Sequence, residues 1–158
     1  MNVRKYLLIL YSYHHKNTEK VANVFSKVLD AEIRNPQQIS PKELTRFDLI
    51  GFGSGIYSAK HHKFLLDLAD SLLIVQYKNA FIFSTAAMTS EKKKIKDHSE
   101  LRKKLESKGY VIIDEFQCKG YNTNSFMKYF GGMNKGRPNT EDLKCAEEFA
   151  QNLKQHIK

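Results

Sequence analysis

The sequence predicts a doubly wound α/β protein, with five parallel strands in the order 2-1-3-4-5 and helices on both faces of the sheet. Three observations carry that prediction. Short apolar runs alternate with stretches whose apolar residues recur at helical spacing, the pattern of strands buried on both faces and joined by crossover helices. The runs end in small, hydroxyl-bearing or glycine-containing segments. A length of 158 residues gives room for one full core and little more, so residues 1–158 are expected to form a single domain.

The elements follow in order. Lys5 to Tyr11 is a continuous run rich in Leu, Ile and Tyr, short enough for a buried strand. From Asn17 to Leu29 the period changes, and Val21, Val24, Phe25, Val28 and Leu29 fall on one helical face. Ala31 to Arg34 is short and partly polar, which suits an edge strand; the helix after it is absent or short. Phe47 to Gly53, reading FDLIGFG, is a third strand that runs into glycine-bearing SGIY. Phe64 to Leu73 is helical, with Leu65, Leu68, Ala69 and Leu72 at core spacing. Ala80 to Ser84 and Tyr110 to Phe116 are the fourth and fifth strands, with Leu101 and Leu105 marking a charged helix between them. Glu141 to Ile157 is the last helix. Lys119 to Asn139 fits neither period, and loops of this length are commonly functional.

Composition narrows the function classes. Hydrophobic residues at 41% and charged residues at 27% are those of an ordinary globular chain. The run Leu7 to Leu10 is far too short to span a bilayer, and no small-residue cleavage site follows it, so neither an integral membrane segment nor a signal peptide is expected. Cys118 and Cys145 have no paired spacing and are expected as free thiols in a reducing cytoplasm. The formal charge is +9, and Met88 to Arg137 holds twelve Lys or Arg against six Asp or Glu. Such a surface attracts anionic ligands, acidic proteins, nucleic acid or anionic lipid without choosing among them.

In a doubly wound sheet the ligand lies beyond the carboxyl ends of the strands, where the strand order reverses. Three segments fall there. Tyr11 to Ala22 leaves a buried strand and opens a helix; Ser12, His14, His15, Lys16, Asn17 and Thr18 concentrate hydroxyl, imidazole, amine and amide groups at a helix start that offers N–H groups to an anion. It has no glycine, so it is neither a Walker loop nor a dinucleotide fingerprint, and Asn17 or Thr18 as a plain N-cap is an equal reading. Ser54, Gly55, Ile56, Tyr57 and Ser58 follow the third strand, where glycine admits a planar ligand and an exposed Tyr57 would stack on it; a tight turn with a surface tyrosine is the alternative. Ser84, Thr85, Ala86 and Ala87 end the fourth strand with backbone groups free to meet a ring edge.

The stretches YSYHHKNTEKVA, GFGSGIYSAKHH, FIFSTAA, CKGYNT and GGMNKGRPNTEDLKCAEEFA resemble the flavodoxin family over nearly the whole chain, and look most like the small flavodoxin-like proteins of anaerobic archaea and bacteria. The resemblance implies a flavodoxin-like fold, non-covalent flavin mononucleotide (FMN) and low-potential electron transfer, with no catalytic acid, base or nucleophile, because the cofactor carries the reactive atoms. Carried over by position, the phosphate loop falls on Ser12 to Thr18 and the flavin-contacting loops on Ser54 to Ser58 and Ser84 to Ala87. Cys118, Gly120, Tyr121 and Asn122 would lie beside the ring. The phosphate loop departs from the family in its extra residue, its missing glycine and its His14-His15 pair, and no tryptophan is present to cover a flavin. Tyr57 is the better cover, with Tyr121 or Phe130 as others.

The pairs His14-His15 and His61-His62 raise the question of a metal, but adjacent side chains diverge and no carboxylate sits at ligand spacing; phosphate-facing and surface roles are the expectation. Lys92 to Lys94 reads as a solvated loop. Most family members are acidic, so the basic charge points instead to an acidic redox partner or a small anionic substrate. With Lys119, and Lys128 if the late loop folds back, near the ring, the last reduction step is expected to be less reducing than in an acidic relative. Nucleic acid is not expected as a partner. Two other functions remain open at this stage: an FMN-dependent oxidoreductase on a quinone or porphyrinogen, to which GSGIYSAKHHKF is similar, and a flavin-free module for an anionic partner.

Overall fold

Leu7 and Ile9 point to one face of the first strand, β1 (Tyr6–Tyr11), and Leu8 and Leu10 to the other; all four are buried. The run is continuously apolar because both faces of this strand are covered. The computed structural model describes residues 3–12, 16–121 and 134–157. After β1 come α1 (Asn17–Leu29), β2 (Glu32–Arg34), α2 (Pro41–Leu44), β3 (Leu49–Tyr57), β4 (Lys60–His61) and α3 (Lys63–Ser71). Then follow β5 (Lys78–Ala86), α4 (Glu91–Asp97), α5 (Ser99–Ser107), β6 (Tyr110–Lys119) and α6 (Thr140–His156). His14, His15 and Asn122, with most of the late loop, lie outside the described residues.

The hydrogen-bonded path is β2-β1-β3-β5-β6, parallel throughout, with β4 paired antiparallel to the end of β3. Leaving aside two-residue β4, this is the expected order 2-1-3-4-5. The edge strand β2 is short, and α2 is a four-residue helix closed by a capping box between Ser40 and Glu43. Two boundaries differ from expectation in a way that matters. β3 and β5 run on through Tyr57 and Ala86, so the segments expected to face a ligand are strand ends rather than loops. The charged helix is two helices, and Lys92 to Lys94 lies within the first, where Lys94 pairs with Glu91 and Lys93 with Asp97. The solvated loop expected there is therefore corrected to a helix held by ion pairs.

Helices cover both faces. Leu7, Ile9, Ile50, Phe52 and Ile82 pack with Leu65, Leu66, Leu68 and Ala69 of α3 and Leu101 and Leu105 of α5. On the other face Leu8, Leu10, Phe81, Phe83 and Phe116 pack with Val21, Ala22 and Phe25 of α1 and Ala146, Ala150 and Leu153 of α6. Gly51 and Gly53 of β3 sit opposite Phe81 and Phe83 of β5, and a Cβ on either would fall 2.3 or 2.2 Å from the facing ring. The rings fill the room that glycine leaves. Gly53→Ala is expected to destabilise the fold by about 1–3 kcal/mol through overpacking, read as a lower denaturation midpoint with an unchanged m-value.

A β-bulge in β6 decides the rest. Ala80 faces Ile112 but Phe81 faces Asp114, so Ile113 is the extra residue. Without it, Phe116 and Cys118 would share a face with Tyr110 and Ile112. With it they enter the α1/α6 core, and Glu115 and Gln117 turn toward α4 and α5.

Candidate functional site

The carboxyl ends of β1, β3 and β5 lie side by side, with Tyr11 opposite Ser54 and Gly55 opposite Thr85. Beside them α1 begins without a capping side chain on its N-cap residue, Lys16, whose φ of 51° is left-handed. Asn17 and Thr18 are thus helix residues, and the N-cap alternative for them is corrected. The Glu19 N–H donates to Ser12 Oγ at 3.2 Å, so Ser12 reaches across the turn to the helix start. Thr18 is buried, with its Oγ1 2.8 Å from Thr85 Oγ1. Asn17 Nδ2 donates to the Tyr121 carbonyl at 2.8 Å, while its buried Oδ1 has no partner among the described residues. Gly120 donates its N–H to the Ala86 carbonyl and packs so near Asn17 that a Cβ would stand 2.7 Å from Nδ2. Asn134 Nδ2 donates to the Ala87 and Gly120 carbonyls. The α1 start, the β5 end and the chain after β6 are therefore one hydrogen-bonded unit.

The β3–β4 hairpin forms the opposite wall. Tyr57 pairs with Lys60 across Ser58 and Ala59, both at positive φ (52° and 62°). Two left-handed residues between paired strands make the primed turn that matches strand twist, built here without the usual glycine or asparagine. Tyr57 is half-buried: its ring lies over Gly55 and stands edge-on to His62, with centroids 5.2 Å apart. His62 stacks on Tyr11 at 4.0 Å and caps α3, its Nδ1 accepting from the Phe64 N–H. Ser54 is fully buried; its Oγ donates to the Gly55 carbonyl and accepts from the His62 N–H. Ile56 pairs with His61.

Beneath these strand ends lies a polar network. Ser84 Oγ is 2.7 Å from His98 Nε2, His98 Nδ1 is 2.8 Å from Glu115 Oε1, and Arg102 grips both Glu115 oxygens. Gln117 Nε2 donates to Ser84 Oγ and to Asp97 Oδ2, and Lys93 pairs with the same Asp97. His61 Nε2 donates to the Phe83 carbonyl, its ring 4.9 Å from that of His98, and its Nδ1 has no partner among the described residues. Burial, with the His98 ring beside it, pushes His61 down to about 3, and burial lowers His98 against the pull of Glu115. Glu115 would be raised by burial, but hydrogen bonds from His98 and Arg102 outweigh it and bring its carboxyl to about 2. At neutral pH both imidazoles are neutral and Glu115 is a carboxylate.

A flavodoxin-domain family model matches residues 8–156. The chain belongs to the flavodoxin family. An uncharacterized protein of Methanocaldococcus jannaschii is 50% identical over 147 residues, covering 92% of this chain and 96% of that one. Among solved structures, flavodoxin 2 of Bacillus cereus superposes with a TM-score of 0.72 at 17% identity, covering 96% of this chain and 99% of that one. A flavodoxin from the domain Archaea gives 0.67 at 13% identity, covering 97% and 98%. At these identities the superpositions show a shared fold.

Set in this flavodoxin fold, the predicted residues separate into groups. Ser12, Lys16, Asn17, Thr18, Gly55, Thr85, Ala86, Gly120 and Tyr121 are brought together at the strand ends. Ser54 and Ser84 are fully buried, and their hydroxyls are engaged with protein partners. Cys118 turns its side chain into the α1/α6 core, where burial pushes the thiol up to about 12. Ser58 is at the exposed hairpin tip. The surface role expected for His61 is corrected: it is buried to 1% exposure behind β5. His98, Glu115, Arg102 and Gln117 were not singled out by sequence reasoning, and the signal for them was slight. An acidic and an amide residue alternating with Phe116 and Cys118, EFQC, marks a polar face where a core face was expected.

Proposed function

We propose that this chain binds FMN non-covalently at the carboxyl ends of β1, β3 and β5 and carries electrons in the cytoplasm as a single domain. The observation that supports it best is the start of α1. A helix start whose N-cap residue supplies no side-chain cap, the Ser12 hydroxyl on the Glu19 N–H and a buried Asn17 Oδ1 with no partner among the described residues come together where a flavodoxin places its ligand, with Lys16 adjoining. Helix N–H groups and a cation suit a phosphate, and the Asn17 acceptor suits a hydroxyl-bearing chain attached to it. FMN would supply the electron chemistry; the protein supplies shape and charge.

In this reading Ser12, Lys16 and Thr18, with the His14 and His15 pair, hold the phosphate. Gly55 and the Ala86–Ala87 backbone face the ring edges, and Tyr57 covers the ring by turning off Gly55. Tyr121, with Gly120 and Asn122, borders the ring on the far side. The basic excess between Met88 and Arg137 favours an acidic protein partner. The purified protein is expected to show oxidised-flavin absorption bands that bleach on chemical reduction; a protein colourless with and without added FMN overturns the reading. Tyr57→Ala is expected to bind FMN more weakly and to recover flavin fluorescence that stacking quenches. Equal fluorescence of the bound flavin in both proteins would assign the cover to another residue.

A further inference from the structure

We propose that Ser84, His98 and Glu115 form a positioning chain for the ligand site, closed while His98 is neutral and broken when it takes up a proton. Ser84 is then a positioning residue and His98 the group that opens the chain in acid. The ligand consequence rests on the FMN reading; the structural coupling does not.

The direction of each hydrogen bond follows from Glu115. Arg102 holds that carboxylate through Nε and Nη2, and a carboxylate only accepts, so the hydrogen of neutral His98 sits on Nδ1. Nε2 then presents a lone pair, and the Ser84 O–H must donate to it. Ser84 Oγ accepts from Gln117 Nε2, whose second hydrogen goes to Asp97, and Asp97 is held by Lys93. One proton added at His98 Nε2 reverses the central bond. Ser84 Oγ would face two N–H donors and its own hydrogen would lose its acceptor in a site with no exposure. Gln117 Oε1 is a buried acceptor without a partner among the described residues, but turning the amide to offer it would press that oxygen against the Asp97 carboxylate. The charged or titratable groups around His98 are Glu115 of β6, Arg102 of α5, Asp97, Lys93 and Lys94 of α4, and His61 of β4. Burial disfavours the proton and Glu115 favours it, so the chain is poised rather than locked.

The strain has one place to go. Ser84 and Thr85 share a peptide but face opposite sides of the sheet, Ser84 toward α5 and Thr85 toward α1. Thr85 Oγ1 meets Thr18 at the start of α1, and the next carbonyl, that of Ala86, holds Gly120 against Asn17. A displacement of Ser84 therefore reaches the two α1 residues that face the ligand. By linkage, a ligand bound at α1 opposes protonation of His98.

Nuclear magnetic resonance on the flavin-free full chain tests the coupling. The His98 ring and the backbone amides of Thr85 and Thr18 are expected to titrate with one shared midpoint. Glu115→Gln keeps an acceptor for Nδ1–H but removes the charge, so the shared midpoint should move to lower pH; a merely structural Glu115 would leave it in place. His98→Gln should abolish the titration of Thr18. With FMN added, affinity in the original protein should fall by up to about tenfold per pH unit below the midpoint, the limit for one proton. His98→Gln should lose that part of the dependence, leaving only the slope contributed by the FMN phosphate. A Thr18 amide that stays fixed while His98 titrates overturns the proposal, as does a His98 that remains neutral until the protein unfolds. If no flavin binds at any pH, the FMN reading falls and the flavin-free titration still decides the coupling.

Discussion

Between pH 6.5 and 4.5 the protein is expected to lose about 2 kcal/mol of stability through His61 alone. The imidazole is 1% exposed, donates Nε2–H to the Phe83 carbonyl and has no partner for Nδ1 among the described residues. Burial holds it at about 3 against an ordinary 6.5, so it is neutral in the fold while the unfolded chain goes from half to fully protonated across that window. The unfolded state binds the extra proton, and stability therefore falls as pH falls, starting at 6.5 and ending near 3. Glu115, held at about 2, adds its own loss only below 4.5, because its folded-state carboxylate is the favoured form. Chemical denaturation across pH checks this. His61→Gln retains an N–H donor and does not titrate, so its curve should be markedly flatter between 6.5 and 4.5. Parallel curves for the two proteins would show that His61 is not held neutral by burial.

Replacing Asn17 and Thr18 together with alanine should weaken FMN binding at least tenfold. Charge-assisted hydrogen bonds contribute about 1.5–3 kcal/mol each, and one such bond lost is a factor of ten or more. The structure adds a second route to the same outcome. Thr18 ties α1 to β5 through Thr85, and Asn17 ties it to the chain after β6 through the Tyr121 carbonyl, so the double change also releases the helix start from both neighbours. Thr18→Val keeps the shape while removing the hydroxyl, so a loss it causes belongs to the hydroxyl's hydrogen bonds and not to packing. A flavin titration in which the double variant binds as tightly as the parent removes α1 from the site.

The sheet order and the helix faces were legible because they rest on apolar periodicity, which is local. Leu7 to Leu10 and Val21 to Leu29 each announce their element within a dozen residues. That the strand ends would lie side by side was also legible, since glycine and hydroxyl residues cluster after three apolar runs. Side-chain roles were not, and β6 shows why. The bulge at Ile113 shifts the alternation by one residue, which moves Glu115 and Gln117 to the α5 face and Phe116 and Cys118 to the other. Nothing in YVIIDEFQCK states where that slip occurs, so the sequence could not place Glu115 and Gln117 in a polar network or the Cys118 side chain in the core. His61 was misplaced for a related reason. Only the hairpin at Ser58 and Ala59, with two non-glycine residues at positive φ, folds β4 back so that one histidine of an adjacent pair points behind β5 and the other stacks on Tyr11. Such turns carry no sequence signal when glycine and asparagine are absent.

Binding of FMN against riboflavin tests the central claim most directly, because the two ligands share the ring and differ in the phosphate assigned to the start of α1. Titrated into the flavin-free protein and followed by quenching of flavin fluorescence, FMN should bind at one site and riboflavin should bind far more weakly, with the difference shrinking at high salt. Equal affinity for the two ligands, or no binding of either, would contradict the account.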